Sequence, residues 1–258
     1  MWAMADAAFA PGVPSDYYDS IAEAEDRHWW YLGMRRISLA LLGDRLTGPA
    51  GRLLDCGCGT GGFLRWALDA GSFSAAAGVD IASTAIEIAR ARVPEADLFV
   101  ASLRQLPFRE ESFDLVVTND VLQHVTEHDV AASLGELRRV LTPGGWLFLR
   151  TNGARRLRRE RADWRAYDRT TLRRELVDAG FTDVYVTYAN SLLSLSSKIS
   201  GRTPHAPSET SHGIVPAQAV RLKGAVGLAV LIAEARWLAG ARRTLPFGHT
   251  LFALASRT

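Results

Sequence analysis

The chain has 258 residues, of which 48% are hydrophobic and 22% charged, and its formal net charge is +2. These values are ordinary for a globular protein built around one large domain. The longest apolar run, Ala225 to Ala233, is too short to span a bilayer, and residues 1–14 lack the basic segment and apolar core of a signal peptide. We therefore expect no membrane span and a cytoplasmic location.

Along the chain, residues 1–16 read as a loose tail, and residues 17–46 read as helical up to the stop at Gly48-Pro49. From Arg52 the pattern alternates between strand and helix. Strands are predicted at 52–56, 75–80, 97–101, 113–118 and 145–151. Helices are predicted at 61–70, 83–92, 128–141 and 170–179. This alternation predicts a parallel, doubly wound sheet that binds ligands at the carboxyl ends of its strands.

After Thr182, residues 183–190 and 249–256 both alternate as strands do and are predicted to form a terminal antiparallel pair. Between them lies an insertion of nearly sixty residues. Its first part, 201–216, is rich in Pro, Ser, Thr and His and is expected to be mobile. Its second part, 217–241, reads as an apolar helix. Insertions of this length are uncommon unless they serve as lids or binding elements.

The strongest local signal is the segment Leu53–Gly62, in which a buried strand passes through glycines into a helix. Such a turn lets a ligand approach the main chain and the positive end of the helix dipole. Its glycines also satisfy the G-x-G-x-x-G fingerprint of dinucleotide-binding proteins, with Asp80 at the spacing of a ribose-binding acid. Asp55, directly before the glycines, suits a cationic ligand group instead.

The only two cysteines, Cys56 and Cys58, lie inside this loop. A C-x-C pair cannot easily form an unstrained disulfide, and no further Cys or His cluster completes a zinc site. We expect no metal.

Five segments in order resemble the class I S-adenosylmethionine (SAM) methyltransferases over residues 50–190. They are Leu53–Gly61, Gly78–Ala82, Ser102–Phe108, Phe113–Val125 and Leu137–Leu149. The resemblance implies a Rossmann-like α/β fold with a seven-stranded sheet. It divides the chain into an N-terminal tail and helical cap (1–46), a SAM-binding core (47–190), a helical lid insertion (191–248) and a final core strand (249–258).

The resemblance also implies a set of cofactor contacts. Gly57, Gly59 and Gly61, with Cys56 between the strand and the loop, would hold the methionine end of SAM, and Asp55 would favour its amino group. Asp80 would accept the ribose hydroxyls. The adenine would lie between Ile81 and Leu103, beside Ser102. The segment Asn119, Asp120 and Val121 would face the sulfonium.

Methyl transfer from a sulfonium mainly requires alignment of the acceptor and exclusion of water, and a hydroxyl acceptor also benefits from a general base. His124 is the candidate base; it can equally pack or cap its turn. Three residues of the cap, Tyr18, Trp30 and Arg35, are candidates to close the pocket and to contact the SAM carboxylate or the acceptor, although plain packing of the helix is an equal alternative. Trp164, Tyr167 and His249 complete the candidate acceptor set.

Residues 150–174 hold ten arginines and three acidic residues. This stretch reads as a solvated basic face, as a site for an anionic acceptor, or as a nucleic-acid or membrane-surface contact. Because a cap and a lid would enclose a pocket, we expect a small-molecule acceptor, a hydroxyl of a secondary metabolite or glycan-related compound, and no nucleic acid. An RNA or protein methyltransferase and a SAM-fold protein without activity remain alternatives. The helix at 217–241 would cover either the pocket or the partner of a homodimer.

Overall fold

The computed structural model describes residues 17–47, 51–153, 165, 167–200, 221–240 and 242–258. Its strands are β1 (Gly51–Cys56), β2 (Phe73–Asp80), β3 (Asp97–Val100), β4 (Phe113–Asn119), β5 (Leu141–Asn152), β6 (Thr182–Ala189) and β7 (Thr250–Ser256). Its helices are α1 (Tyr17–Arg27), α2 (Trp29–Leu42), α3 (Asp44–Thr47), α4 (Gly62–Ala70), α5 (Ser83–Arg92), α6 (Glu127–Val140), α7 (Arg169–Asp178), α8 (Ser191–Ser200) and α9 (Arg221–Leu238).

The seven strands form one sheet in the order β3-β2-β1-β4-β5-β7-β6. The first five strands pair in parallel, and β7 runs antiparallel to both β5 and β6. The expected doubly wound sheet with its terminal antiparallel pair is therefore confirmed. Because the strand order reverses between β1 and β4, their carboxyl ends border the crevice where such sheets bind ligands.

Helices cover both faces of the sheet because successive strand residues point in opposite directions. Leu54 of β1 belongs to one buried cluster, which includes apolar residues of α6 and α7. Leu53 belongs to the other, which includes apolar residues of α2, α4, α5 and α9. In α6, the apolar residues Val130, Leu134 and Leu137, which recur at helical spacing, are buried.

The predicted helical segment 17–46 is confirmed, but it is divided into separate helices at His28 and Gly43. His28 has extended backbone angles, and its Nδ1 accepts a hydrogen bond from the Trp30 amide, so it caps α2. Gly43, with a φ of 51°, ends α2 before the expected stop at Gly48-Pro49. Histidine is not among the residues that strongly favour N-cap positions, which is why the sequence did not indicate this break.

Helix α9, within the insertion, packs along α2 of the cap. A Cβ at Gly33 would lie 2.2 Å from Leu231 Cδ1, and one at Gly227 would lie 2.7 Å from the Trp29 ring. Glycine at these positions therefore permits the close approach of the two helices. The face of α9 that meets α2 is buried within the chain, so this face is not available for a homodimer contact, one of the two alternatives that the sequence left open for this helix.

Two further differences concern β5 and α8. Strand β5 begins at Leu141, which pairs with Phe113, rather than after the Pro143-Gly144-Gly145 turn.

Helix α8 was not predicted. Its first turn is fixed by Glu234 of α9, whose carboxylate accepts hydrogen bonds from the amides of Asn190 and Leu192. The other predicted strands, and the predicted helices between 61 and 179, agree with the structure to within two residues at each end.

The expected tail at 1–16, Trp164 and the segment 201–216 lie outside the described residues. Among the helices that the structure does describe, none is long and apolar enough to cross a membrane.

Candidate functional site

The glycine loop joins β1 to α4 through three residues in the left-handed region. The φ angles of Gly57, Gly59 and Gly61 are 81°, 54° and 81°. A Cβ at Gly57 would lie 2.1 Å from Val121 Cγ2, so only glycine allows the loop to approach the turn after β4. The amides of Gly57 and Cys58 donate to the carbonyl of Val79, at 2.7 and 2.9 Å, which fixes the loop against β2.

Asp80, the last residue of β2, faces this loop. Its Oδ2 accepts a hydrogen bond from the Gly59 amide and its Oδ1 accepts one from the Ala82 amide, both at 2.9 Å. Burial raises the pKa of Asp80 although these hydrogen bonds oppose it. Burial also raises the pKa of Tyr18 to about 12, with a contribution from the charge of Asp80. Helix α1 therefore brings Tyr18 close to the carboxylate predicted to bind ribose.

A cavity of about 150 Å³ opens at the carboxyl ends of β1 and β4, beneath the cap. Six of the predicted site residues line it: Arg35, Asp55, Gly57, Gly59, Asn119 and Asp120. Five further residues line it that the sequence analysis did not select: Glu25, Tyr31, Cys58, Phe63 and Arg150. The structure thus brings the glycine loop, the turn after β4 and the cap together around one cavity.

Two polar side chains of the cavity wall have no hydrogen-bond partner among the described residues. Both carboxylate oxygens of Asp55, which is 1% exposed, are buried and unpaired, as are both polar atoms of the Asn119 amide. Burial, together with the charges of Glu25 and Asp80, raises the pKa of Asp55 to about 8. Unpaired buried polar groups are costly in free energy, so this wall suits a ligand that supplies cationic and hydrogen-bonding groups.

Arg150 of β5 connects the turn after β4 to the cap. Its Nε and Nη2 donate to Oδ2 of Asp120 at 3.0 and 2.6 Å, and its guanidinium lies 5.0 Å from the centre of the Trp30 ring. Asp120 itself has a φ of 58°, a backbone conformation that Asp adopts more readily than most residues. Trp30 therefore contacts the site through Arg150 and is not itself part of the cavity wall.

The residues predicted to surround adenine do not line this cavity. Ile81 is half-buried, and Leu103 belongs to a buried core cluster. Ser102 is half-buried, and its hydroxyl accepts a hydrogen bond from the Arg104 amide at 3.3 Å. Cys56 is fully buried in the same core cluster as Leu103, so only its main chain can face a ligand.

His124 ends a short 3-10 turn that follows the cavity residues Asn119 and Asp120, and it is half-buried. Its neighbour Gln123 is buried, and Oε1 of that side chain accepts hydrogen bonds from the Thr151 hydroxyl and the Asn152 amide, at 3.0 and 3.2 Å. Gln123 therefore fixes the turn to β5, whereas His124 does not line the cavity.

Of the remaining acceptor candidates, Tyr167 and His249 do not line the cavity, and Trp164 is outside the described part of the chain. Tyr167 is fully buried in the core, and its hydroxyl accepts a hydrogen bond from Nη1 of Arg165 at 2.8 Å, so its role as a pocket residue is not supported. The carbonyl of His249 accepts a hydrogen bond from the Gly153 amide, which holds the turn before β7. Arg165 also pairs with Glu175, so this arginine of the basic stretch is engaged within the chain.

Comparison with known proteins places this geometry in a family. Residues 54–149 match the family model described as a methyltransferase domain. The chain is 35% identical over 188 residues to a malonyl-[acyl-carrier protein] O-methyltransferase of Methylococcus capsulatus, covering 67% of this chain and 64% of that protein. It is 36% identical over 102 residues to the human probable tRNA methyltransferase 9B, covering 39% of this chain and 21% of that protein. The matched regions thus span less than two thirds of these relatives.

Among solved structures, the geranyl diphosphate C-methyltransferase of Streptomyces coelicolor, in complex with Mg²⁺, geranyl-S-thiolodiphosphate and S-adenosylhomocysteine, superposes with a TM-score of 0.58 at 17% identity. The similarity covers 97% of this chain and 83% of that one. At this identity the similarity shows the fold alone. The matched domain, the strand order and the glycine loop identify residues 54–149 as a methyltransferase domain of the class I SAM-dependent family.

Proposed function

We propose that the protein transfers a methyl group from SAM to an oxygen of a small-molecule acceptor. The observation that carries this proposal is the cavity under the cap, lined by the glycine loop, the turn after β4 and helices α1 and α2. A site covered by helices favours an acceptor that enters it whole over a polymer that crosses an open groove.

The residues present fit the cofactor. The unpaired carboxylate of Asp55 and the amide of Asn119 suit the charged methionine end, and each oxygen of Asp80 keeps capacity to accept a ribose hydroxyl. When bound, SAM supplies a methyl group activated by a positively charged sulfur. The chain's own contribution is to hold the ligand in one orientation and to exclude water.

On the acceptor side, Arg150 and Asp120 form a fixed wall, and we place the acceptor beside it, next to the turn after β4. His124 belongs to that turn, and an imidazole nitrogen of His124 is the proposed acceptor of the proton that a hydroxyl loses. General base catalysis of this kind contributes about 10²- to 10⁴-fold to a rate.

The test supplies SAM with an isotopically labelled methyl group. It measures the release of S-adenosylhomocysteine and the transfer of the label to the acceptor. The acceptor panel should contain hydroxyl-bearing secondary metabolites, sugars and, because of the Methylococcus relative, a malonyl thioester. We expect turnover with at least one small oxygen acceptor. Tight SAM binding without turnover of any acceptor would favour a SAM-fold protein that no longer methylates.

The match to the human probable tRNA methyltransferase is the observation that favours an RNA acceptor as the second candidate. RNA binding driven by the arginines of residues 150–174 would weaken steeply with salt concentration. Methylation of total tRNA, together with such a salt dependence, would replace the small-molecule proposal.

A further inference from the structure

Glu25 is the carboxylate that the cap contributes to the cavity wall. Its side chain is 12% exposed, and its Oε2 accepts hydrogen bonds from the Thr60 hydroxyl and from Nη1 of Arg92, both at 2.6 Å. Within the described part of the chain, no hydrogen bond reaches Oε1. Glu25 therefore has one oxygen held by the glycine loop and α5, and a second oxygen available to a ligand.

The other half of this arrangement is Asp55, which is buried on the same cavity and has both oxygens unpaired. The charge of Glu25 is one of the causes that raise the pKa of Asp55, so the two carboxylates act on each other across the site. Arg92 pairs with Oε2 of Glu25. The charge of Arg150 partly opposes the rise in the pKa of Asp55, but both oxygens of Asp55 stay unpaired. Two acidic groups that face one buried cavity repel each other, and a cation between them relieves the repulsion. An alkylammonium group, with three N–H donors and no acceptor, matches such a pair.

We propose that Glu25 and Asp55 together bind the α-ammonium group at the methionine end of SAM, with Glu25 delivered by the cap. This inference rests on the SAM assignment made above. It adds a cofactor ligand from outside the glycine loop, and it makes closure of the cap part of cofactor recognition.

Arg92 is the positioning residue for this contact. Its guanidinium, 13% exposed, donates to Glu25, to the carbonyl and hydroxyl of Thr60, to the carbonyl of Ala22 and to Asp26. One side chain of α5 thus fixes the cap and the glycine loop in a single arrangement.

Gly62, the first residue of α4, leaves the space that this arrangement requires. A Cβ at that position would lie 2.3 Å from Oε2 of Glu25. A larger residue at Gly62 would therefore displace the Glu25 carboxylate from the loop.

The experiment compares two ligands by isothermal titration calorimetry. S-adenosylhomocysteine carries the amino-acid end, whereas 5′-methylthioadenosine keeps the adenosine and the thioether but lacks that end. Glu25→Gln should raise the Kd for S-adenosylhomocysteine about 10- to 100-fold, the usual effect of losing a hydrogen bond to a charged group, and leave the Kd for methylthioadenosine unchanged. Glu23→Gln, on the exposed face of the same helix, is the matched control and should change neither.

Arg92→Gln should produce the same selective loss, and Arg92→Lys should restore part of it. Arg90→Gln is the matched control on α5, because the hydrogen bond that Arg90 makes among the described residues is to the carbonyl of Leu98 and not to the cap or the glycine loop. Gly62→Ala, which displaces the Glu25 carboxylate, is a second and independent route to the same result. Methylthioadenosine binding also reports that each variant is folded.

If Glu25→Gln weakened the binding of both ligands equally, the proposal would be overturned and Glu25 would be a purely structural contact. Unchanged binding of both ligands would also overturn it. Failure of the wild-type protein to bind S-adenosylhomocysteine would instead overturn the SAM assignment itself. The two failures are therefore distinguishable in one set of titrations.

Discussion

Replacing Asp55 with asparagine should change how the stability of the ligand-free protein depends on pH. In the folded protein, burial and two neighbouring carboxylates raise the pKa of Asp55 to about 8, whereas in the unfolded chain it is about 3.9. Between these values the folded protein holds a proton that the unfolded chain lacks. The stabilising contribution of this protonated Asp55 carboxyl is therefore fully present below about pH 4 and is lost as the pH rises towards 8.

The slope is about 1.4 kcal/mol per pH unit, so from about pH 5.5 to pH 7.5 the wild-type protein should lose about 2 to 3 kcal/mol relative to Asp55→Asn. Urea unfolding of both proteins at intermediate pH values, followed by circular dichroism, measures the difference. All other titrating groups are shared by the two proteins, so they largely cancel. Saturating S-adenosylhomocysteine should flatten the wild-type slope, because an ammonium group favours the ionised carboxylate. Parallel pH profiles for the two ligand-free proteins would refute the reasoning.

Three further predictions concern ribose binding, proton transfer and helix packing. Asp80→Ala should weaken S-adenosylhomocysteine binding at least about tenfold by calorimetry, and unchanged affinity would remove its assignment to the ribose. His124→Ala should lower kcat by about 10²- to 10⁴-fold and leave S-adenosylhomocysteine affinity unchanged; equal turnover in both proteins would make His124 a structural residue. Gly33→Ala should lower the free energy of unfolding by about 1 to 3 kcal/mol because its Cβ meets Leu231. Gly135→Ala, at an exposed α6 position with open space around it, should raise that free energy by about 0.5 to 1 kcal/mol, and urea titration measures both.

The sheet was predictable from the sequence because its signals are local. The glycine loop follows an apolar strand directly, and α6 repeats its apolar residues at helical spacing, so neither depends on knowledge of distant residues. The same holds for Asp80, whose position after a strand and before a helix places it at the ligand edge. The break at His28 was missed because it depends on one side-chain cap of a residue type that rarely signals one.

The cap and its Arg35 were predicted at the site, but the parts of Glu25 and Arg150 were not, for the opposite reason. Glu25 and Arg92 are separated by 67 residues in sequence, and no pattern in either segment marks their contact. Arg150 is a single charged residue in an apolar strand, and only the fold shows that it meets Asp120 and Trp30. The sequence did contain one indirect signal, since a small residue at Gly62 opens space for a side chain from elsewhere.

The packing of α9 on α2 has a consequence for the order in which the protein assembles during translation. Helix α2 is made early, but the helix that covers its apolar face ends almost two hundred residues later. At typical synthesis rates of about 5 to 20 residues per second, α2 waits on the order of ten seconds or more before α9 can pack on it. The strands from β1 to β5 can form in that interval, so α2 gains its partner α9 only after the strands that border the site have been made.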